Sequence, residues 1–494
     1  MQERNRRLLI GLLVVLVACV VAIQFDLDPT YRKMVKASQP VSKGKTGDLM
    51  AQLPGQFIVA SFTGFEQVVA GALWIRADDF FHRGDYQPII PIVRMVTWLD
   101  PHNIDVYITG AWHLDYNFVD EANSLSDKRY IPASIALLTE GIRNNPGIWD
   151  LCFELGWTHY CKKMNDNQKA LEWISEACKY QGIDPNTGET VPRAEFVDRM
   201  KAHMLEKCGR FDEAIEQWHK SRAQSVKLVE AVKRKPASGE YVDRMAVDLC
   251  DRNLSLLLLR LGWRYARMDR YEQGLEVAER LTGPPEWVAA TASARKDFES
   301  RKGKAWVGDA MKPLNTSFQV SWLRAAPQVL IIKGRVNVIQ ASEYKGLACE
   351  AFTHWYATNN APNAVKHETW RDGCRVYWRL EDYDYTMPDL ETFDWKIDLD
   401  KTIAWGDIWV GNGRFTSSID MSDPRDSEMY PFKAGKYKLT IWMTPEDPGM
   451  PDYVQDRVGW KGEALTDPNC LDTKTRPGFK MLKKEFVLSR NDII

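Results

Sequence analysis

Between residues 62 and 286, apolar residues recur at helical spacing in segments separated by short polar turns. In one segment Ile89, Val93 and Val96 lie about one helical turn apart, and Asp100–Pro101 ends the segment. Comparable segments follow in pairs, with a longer turn at residues 120–130. The pattern therefore predicts about five helix pairs over residues 62–286.

A Leu-Gly motif recurs within these pairs, once in Leu155–Tyr160 and again in Leu261–Ala266. In both copies an aromatic residue follows the glycine closely, and a polar turn and a second amphipathic segment come next. Together with turns such as Gly84–Tyr86, the motif resembles the tetratricopeptide repeat, a helix-turn-helix unit of about 34 residues. The resemblance implies an all-α superhelical solenoid that binds other proteins.

In tetratricopeptide arrays the first helix of each unit lines a concave groove that receives a segment of a partner. An alternative for Trp157 and Trp263 is packing on a neighbouring helix or on the C-terminal domain. By the resemblance, the partner-binding groove is lined by Trp74, Asp78, Phe153, Trp157, Arg199, His203 and Trp263.

After Pro313 the hydrophobic period changes from helical to alternating, which predicts strands. Examples are residues 329–332, 375–378 and 395–399. The stretch Phe432–Trp442 brings a Gly-x-Tyr turn into a strand and resembles the penultimate strand of immunoglobulin-like sandwiches. We therefore predict an antiparallel β-sandwich over residues 313–494, linked to the repeats by a capping or bridging helix within 287–312.

The N-terminal residues contain an uncharged run, Leu8–Phe25, preceded by Arg4, Arg6 and Arg7. Its length suits a transmembrane helix, and no A-x-A-like cleavage site follows it. The predicted order is a cytoplasmic tail (1–7), a signal anchor (8–25) and a juxtamembrane tether (26–61), with the bulk extracytoplasmic. A lipoprotein lipidated at Cys19 and a chain whose bulk is cytoplasmic are the alternatives.

The composition and the motifs argue against several kinds of ligand and of catalytic site. Balanced charges give a net charge of −2, so no general basic field favours nucleic acid. The nine cysteines form no zinc-ligand spacing, and the common catalytic and phosphate-binding motifs are absent. We predict no cofactor, no metal and no enzymatic activity, and we do not expect a small-molecule ligand. Two alternatives remain. The acidic loops at 381–384 and 420–423 would bind calcium, or the 19 tryptophans would include a sugar-binding platform.

The predicted fold class is thus multidomain: an N-terminal transmembrane helix, a tetratricopeptide-like solenoid and a C-terminal immunoglobulin-like sandwich. The predicted function is a membrane-anchored, non-catalytic scaffold whose groove binds partner proteins of a membrane or envelope complex, most simply in a bacterial cell envelope. The alternatives are an envelope polysaccharide-binding protein that uses the tryptophan-rich sandwich, and an envelope hydrolase.

Overall fold

The structure is a computed structural model. In it the chain forms two compact units. One unit comprises Met1–Phe118 and Ala133–Leu151, and the other comprises Val119–Pro132 and Cys152–Ile494. The described residues are 64–83, 88–117, 119–120, 125–127, 130–183, 190–191, 193–234, 245–282, 285–305, 308, 314–338, 371–386, 400–411, 413–422, 430–450 and 452–494.

The described part of the first unit is helical. Its helices are α1 (Glu66–His82), α2 (Ile89–Leu99), α3 (Ile104–Trp112, extended by a π-helical turn, His113–Asn117) and α4 (Ile131–Asn144). One apolar face of α1 packs on α2, as the helical spacing predicts. Tyr107 of α3 is fully buried against α4, where it accepts a 2.8 Å hydrogen bond from Asn144.

The succession of helices continues from the first unit into the second, whose larger segment begins at Cys152 within the next helix. The helices that follow are α5 (Trp149–Glu154, extended by a π-helical turn, Leu155–Cys161), α6 (Asn167–Ala177), α7 (Phe196–Lys207), α8 (Phe211–Arg234), α9 (Met245–Arg264), α10 (Met268–Ala278) and α11 (Pro285–Arg301). Asn165, Gly209 and Ala266 lie in the turns within three of the pairs, and each has a positive φ. A left-handed residue ends the first helix of such a pair and redirects the chain.

The glycine of the Leu-Gly motif lies where two helices of a pair come closest. A Cβ at Gly262 would lie 2.5 Å from the backbone nitrogen of Tyr271 on α10. A Cβ at Gly156 would lie 3.0 Å from the carbonyl oxygen of Ala170 on α6. Only glycine permits this separation, so the motif that predicted the helix pairs also sets their packing distance.

The described residues in the remainder of the second unit mainly form one curled antiparallel sheet. Its strands are β1 (Val119–Asp120), β2 (Leu125–Asp127), β5 (Phe318–Ala326), β6 (Val329–Val336), β7 (Arg371–Asp382), β8 (Ile403–Gly411), β9 (Arg414–Asp420), β10 (Lys436–Met443), β11 (Leu471–Asp472) and β12 (Met481–Ser489). Their order is β11-β12-β10-β7-β8-β9-β6-β5, and the hairpin β1-β2 joins through β8. Two short strands, β3 (Gly182–Ile183) and β4 (Thr190–Val191), pair separately. A short helix, α12 (Asp452–Val458), follows β10.

The sheet curls because β8 and β9 pair only at Gly411 and Arg414, after which the two strands diverge. β8 continues along β7, and β9 continues along β6. The inner faces of both halves enclose one core, to which Ile332, Trp378 and Leu439 contribute.

Two components of the predicted fold class are wrong. The strands form a half-barrel of one continuous sheet, because the Gly411–Arg414 hairpin joins the two halves that a sandwich would keep apart. No helix among the described residues combines the length and the apolar character that a bilayer crossing requires. The predictions of a transmembrane helix and of a single-pass membrane protein are corrected on this finding.

Several predicted features lie outside the described residues. They are the run Leu8–Phe25 with its preceding arginines, the alternative lipidation site Cys19, the tether at 26–61, the turn Gly84–Tyr86 and the strand at 395–399.

Candidate protein-binding site

The first unit contains a cleft of about 290 Å³ between the first helices of its two pairs, α1 and α3. We call it the α1–α3 cleft. It contains two of the predicted groove residues, Trp74 and Asp78, on successive turns of α1. Its full lining is Trp74, Ile75, Ala77, Asp78, Ile89, Thr109 and His113.

Helix α1 carries a second apolar face beside this cleft. Its buried positions include Val69 and Leu73, which pack within the unit. On another side of the helix Val68 is 66% exposed and Ile75 is 72% exposed, and Phe65 at the helix start is 45% exposed. A helix of a globular protein normally buries a single apolar stripe, so these residues form a second stripe that is exposed.

The charge of the α1–α3 cleft is negative. Asp78 is largely exposed, and its carboxylate lies 3.5 Å from Nδ1 of His82 on the next turn. Burial lowers the pKa of His113, although the Asp78 carboxylate opposes this shift. His113 is therefore mostly neutral near pH 7, and Asp78 supplies the charge of the lining.

Aromatic rings cluster around His113 at the end of α3. The rings of Trp112 and Tyr116 stack with centroids 5.9 Å apart, and Trp112 is 45% exposed. Phe81 packs on His113 at 4.4 Å between ring centroids. The π-helical turn at His113–Asn117 carries His113 and Tyr116 of this cluster, and such turns often occur at functional sites.

The other five predicted groove residues belong to the second unit, where each contacts other residues of that unit. Phe153 is buried against Phe196, with ring centroids 5.1 Å apart. The half-buried ring of Trp157 lies under the Lys162 ammonium at 4.9 Å. The structure thus gathers Trp74 and Asp78 in one cleft and places Phe153 and Trp157 elsewhere.

Three of those five lie on α7 and α9. Arg199 pairs with Glu195 at 2.6 Å, and the ring of His203 packs edge-on against Trp218. Trp263 is 8% exposed, with the Arg301 guanidinium 6.0 Å from its ring centroid. The surface of α9 near Trp263 is consequently covered by the chain itself.

A partly buried ionic cluster joins the segments after β10 and β11 to the repeat turn at residues 164–167. The Arg476 guanidinium contacts the carboxylates of Asp166 and Glu446 and donates to the backbone oxygen of Met164. Glu446 accepts from the backbone nitrogen of Asn167, at the start of α6. Burial raises the pKa of Glu446 to about 7. The contacts with residues 164–167 span about 280 to 310 residues of chain, so no local pattern predicts them.

A second contact within the same unit centres on Trp460, which follows α12 and is 1% exposed. Its ring lies 4.7 Å from the Arg260 guanidinium and 4.9 Å from the ring of Phe211. Arg260 also pairs with Asp456 at 2.8 Å. The turns of the helix pairs lie at one edge of the helical part. The C-terminal segment therefore covers that edge.

The described residues contain no group of three or more histidine, cysteine or acidic side chains that could hold a metal ion. The predicted acidic loop at 381–384 begins on β7, where Glu381 pairs with Lys438 at 2.8 Å and Asp382 with Lys401 at 3.5 Å. Burial raises the pKa of the Cys161 thiol to about 11 and that of Cys208 to about 12, which makes both weak nucleophiles.

No protein-family model matches this chain, and no curated protein matches it. Two solved structures align with 14% identity, titled "Crystal structure of MamA" and "Crystal structure of MamA protein". The first alignment covers 41% of this chain and 95% of that chain with a TM-score of 0.24. The second covers 45% and 100% with a TM-score of 0.26. At this level the similarity supports no inference about function.

Proposed function

We propose that this chain is a non-catalytic scaffold that binds a polypeptide segment of a partner protein in the α1–α3 cleft. The observation that carries the proposal is the cleft itself, which lies between the first helices of consecutive pairs and contains Trp74 and Asp78. Tetratricopeptide arrays bind their partners in the corresponding place.

The lining indicates which segment fits. Trp74 and the exposed Ile75 offer apolar contact for an aliphatic or aromatic anchor, and interface anchors of this kind contribute most of the binding energy. Asp78 favours a lysine or arginine next to that anchor. The proposed occupant is therefore a segment with an apolar anchor beside a basic residue.

A displayed library of random dodecapeptides, selected on the purified full chain, tests this function. We expect enriched peptides to combine an apolar anchor with a basic residue. Trp74→Ala should weaken their binding at least about tenfold, since truncation of an interface anchor costs more than about 1.4 kcal/mol. Asp78→Asn should weaken binding of peptides with the basic residue and leave those without it unchanged.

Trp409→Ala is the matched control, because it makes the same change at an exposed tryptophan (55%) on β8 of the other unit. Peptides that bind Trp74→Ala and the unchanged chain equally well would contradict the proposed function, as would the failure to enrich any peptide.

The alternative of a sugar-binding sheet has one observation in its favour. Trp409 on β8 is 55% exposed, and the Arg375 guanidinium lies 5.6 Å from its ring centroid. The exposed carboxylate of Asp407 is 3.7 Å from Arg375, which provides polar groups beside an aromatic ring. Against it, Trp378 and Trp460 are buried structural residues. Binding of soluble glycans that Trp409→Ala abolishes would favour this alternative.

A further inference from the structure

The face of the sheet opposite the core carries exposed basic side chains on β6 and β9. On β6, Ile332 and Val336 belong to the core, so Lys333 and Arg335 between and beside them point to the other face. The register of β5, β6 and β9 places six exposed polar residues there in two adjacent rows, which we call the β5–β6–β9 patch. One row is Gln319, Arg335 and Arg414, and the next is Ser321, Lys333 and Thr416.

Two arginines of the patch lie directly opposite each other. Val336 donates its backbone N–H to the oxygen of Gly413 at 2.9 Å. Since hydrogen-bonded and non-hydrogen-bonded pairs alternate along an antiparallel ladder, Arg335 and Arg414 form a non-hydrogen-bonded pair, with Cα atoms about 4.5 Å apart. Like charges in this position destabilise a sheet. A bound anion would remove the repulsion.

The positive charge of the patch is not neutralised within the described part of the chain. There, no carboxylate forms an ion pair with Lys333, Arg335 or Arg414. Elsewhere on the sheet, by contrast, Arg379 and Lys438 both pair with Glu381 at 2.8 Å. The three cations of the patch are therefore available to a ligand.

The arrangement of the cations favours a doubly charged oxyanion. A guanidinium group binds phosphate or carboxylate through two parallel hydrogen bonds, and here two such groups project from opposed positions. A carboxylate carries one negative charge, whereas a phosphorylated side chain carries about 1.5 to 2 near pH 7. Lys333 and the hydroxyl of Thr416 lie on the next row and supply further donors.

The surroundings of the patch indicate what carries the phosphoryl group. All six side chains are exposed on an open sheet face, whereas small-molecule sites are concave and bury most of their ligand. On the row beyond Lys333, the exposed Leu323 lies opposite the half-buried Ile331. A polypeptide can contact both the charged rows and this apolar row.

We propose that the β5–β6–β9 patch binds a phosphorylated side chain of a partner protein, with the phosphoryl group between Arg335 and Arg414. An apolar residue of the same segment contacts Leu323 and Ile331. Arginine clusters are a recurring means of recognising phosphorylated segments. Because Arg335 and Ile331 are four residues apart on one strand, or about 13 Å, the apolar residue lies about four residues from the phosphorylated one. The patch lies in the other unit and is independent of the α1–α3 cleft.

The test measures fluorescence anisotropy of a labelled glycine-serine peptide with one phosphoserine and a leucine four residues away, added to the full-length chain. We expect the same peptide without the phosphoryl group to bind at least about tenfold more weakly. The double variant Arg335→Gln/Arg414→Gln should lose at least about tenfold in affinity for the phosphopeptide. Arg335→Lys/Arg414→Lys should recover only part of it, since lysine keeps the charge but lacks the planar fork.

Arg280→Gln is the matched control, because Arg280 is an exposed arginine of the same unit that follows α10, and its affinity should stay within about twofold. The glutamine double variant should unfold at the same or a higher urea concentration than the unchanged chain, because it removes a like-charge pair. Lost binding would then not reflect lost folding.

Several results would overturn the proposal. Equal binding of the two peptides would show that the phosphoryl group is not recognised, and equal binding to the unchanged chain and the glutamine double variant would place the peptide elsewhere. Free phosphoserine that competes as strongly as the phosphopeptide would identify a small molecule as the ligand, and tighter binding of oligothymidylate would identify a nucleic-acid backbone. None of these results changes peptide binding in the α1–α3 cleft, so the two proposals fail separately.

Discussion

Replacing Gly262 with alanine should open the α9–α10 pair. The added Cβ would lie 2.5 Å from the nitrogen and 2.7 Å from the Cα of Tyr271. These are backbone atoms, so no side-chain rotation relieves the overlap, and the helices must separate. Overpacking of this kind costs about 1–3 kcal/mol, whereas the change from glycine to alanine in a helix returns up to about 1 kcal/mol. We expect a net loss of about 1–2 kcal/mol.

Hydrogen exchange of amides in α9 and α10 is the appropriate assay, because a chain with two compact units need not unfold in one step. Gly71→Ala is the control, since a Cβ at Gly71 meets no atom within 4 Å on the exposed side of α1. It should stabilise α1 by about 0.5–1 kcal/mol. If Gly262→Ala also stabilises its helices, the close packing of the Leu-Gly motif is refuted.

Three further predictions concern the second unit. Glu446 has a folded-state pKa of about 7, above its ordinary value of 4.5, so its stabilisation is present below pH 4.5 and lost as the pH rises through 7. Glu446 should therefore lower the unfolding free energy of the unchanged chain by about 3 kcal/mol between pH 5 and 8. The Glu446→Gln variant should lack this decrease, and an unchanged pH profile would contradict the prediction. Trp460→Ala should cost about 3–5 kcal/mol in urea unfolding, because it empties the space between Arg260 and Phe211, and a loss below about 1 kcal/mol would contradict that packing. Cys161 and Cys208 should resist iodoacetamide at pH 8 until denaturant is added, which mass spectrometry of the alkylated peptides would show.

The helix pairs could be predicted because their signals are local. Ile89, Val93 and Val96 mark one buried face, and Gly156 and Gly262 mark close contacts. Strand positions were predictable for the same reason: the residues at 329–332 and 375–378 lie within β6 and β7. Alternation shows that a strand exists and not which strands pair. A hairpin at Gly411–Arg414 could therefore join the two predicted layers into one curled sheet.

The place of the candidate site residues was predictable only where position along a helix decides exposure. Trp74 and Asp78 could be placed on one side of α1 by helical spacing, and both line the α1–α3 cleft. The burial of Trp263 depends on α11 and its Arg301, a contact that the spacing of α9 does not contain. The pairing of Arg476 with Asp166 depends on the three-dimensional course of more than 300 intervening residues. Periodicity therefore located the helical surface without showing which parts of it the chain covers.

The central claim is that the cleft between α1 and α3 binds a partner polypeptide. The most direct test compares the dissociation constant of one enriched, basic peptide for the Trp74→Ala and Trp409→Ala variants. The account predicts a loss of at least about tenfold for Trp74→Ala and none for Trp409→Ala. Unchanged affinity after Trp74→Ala, together with a loss after Trp409→Ala, would contradict it.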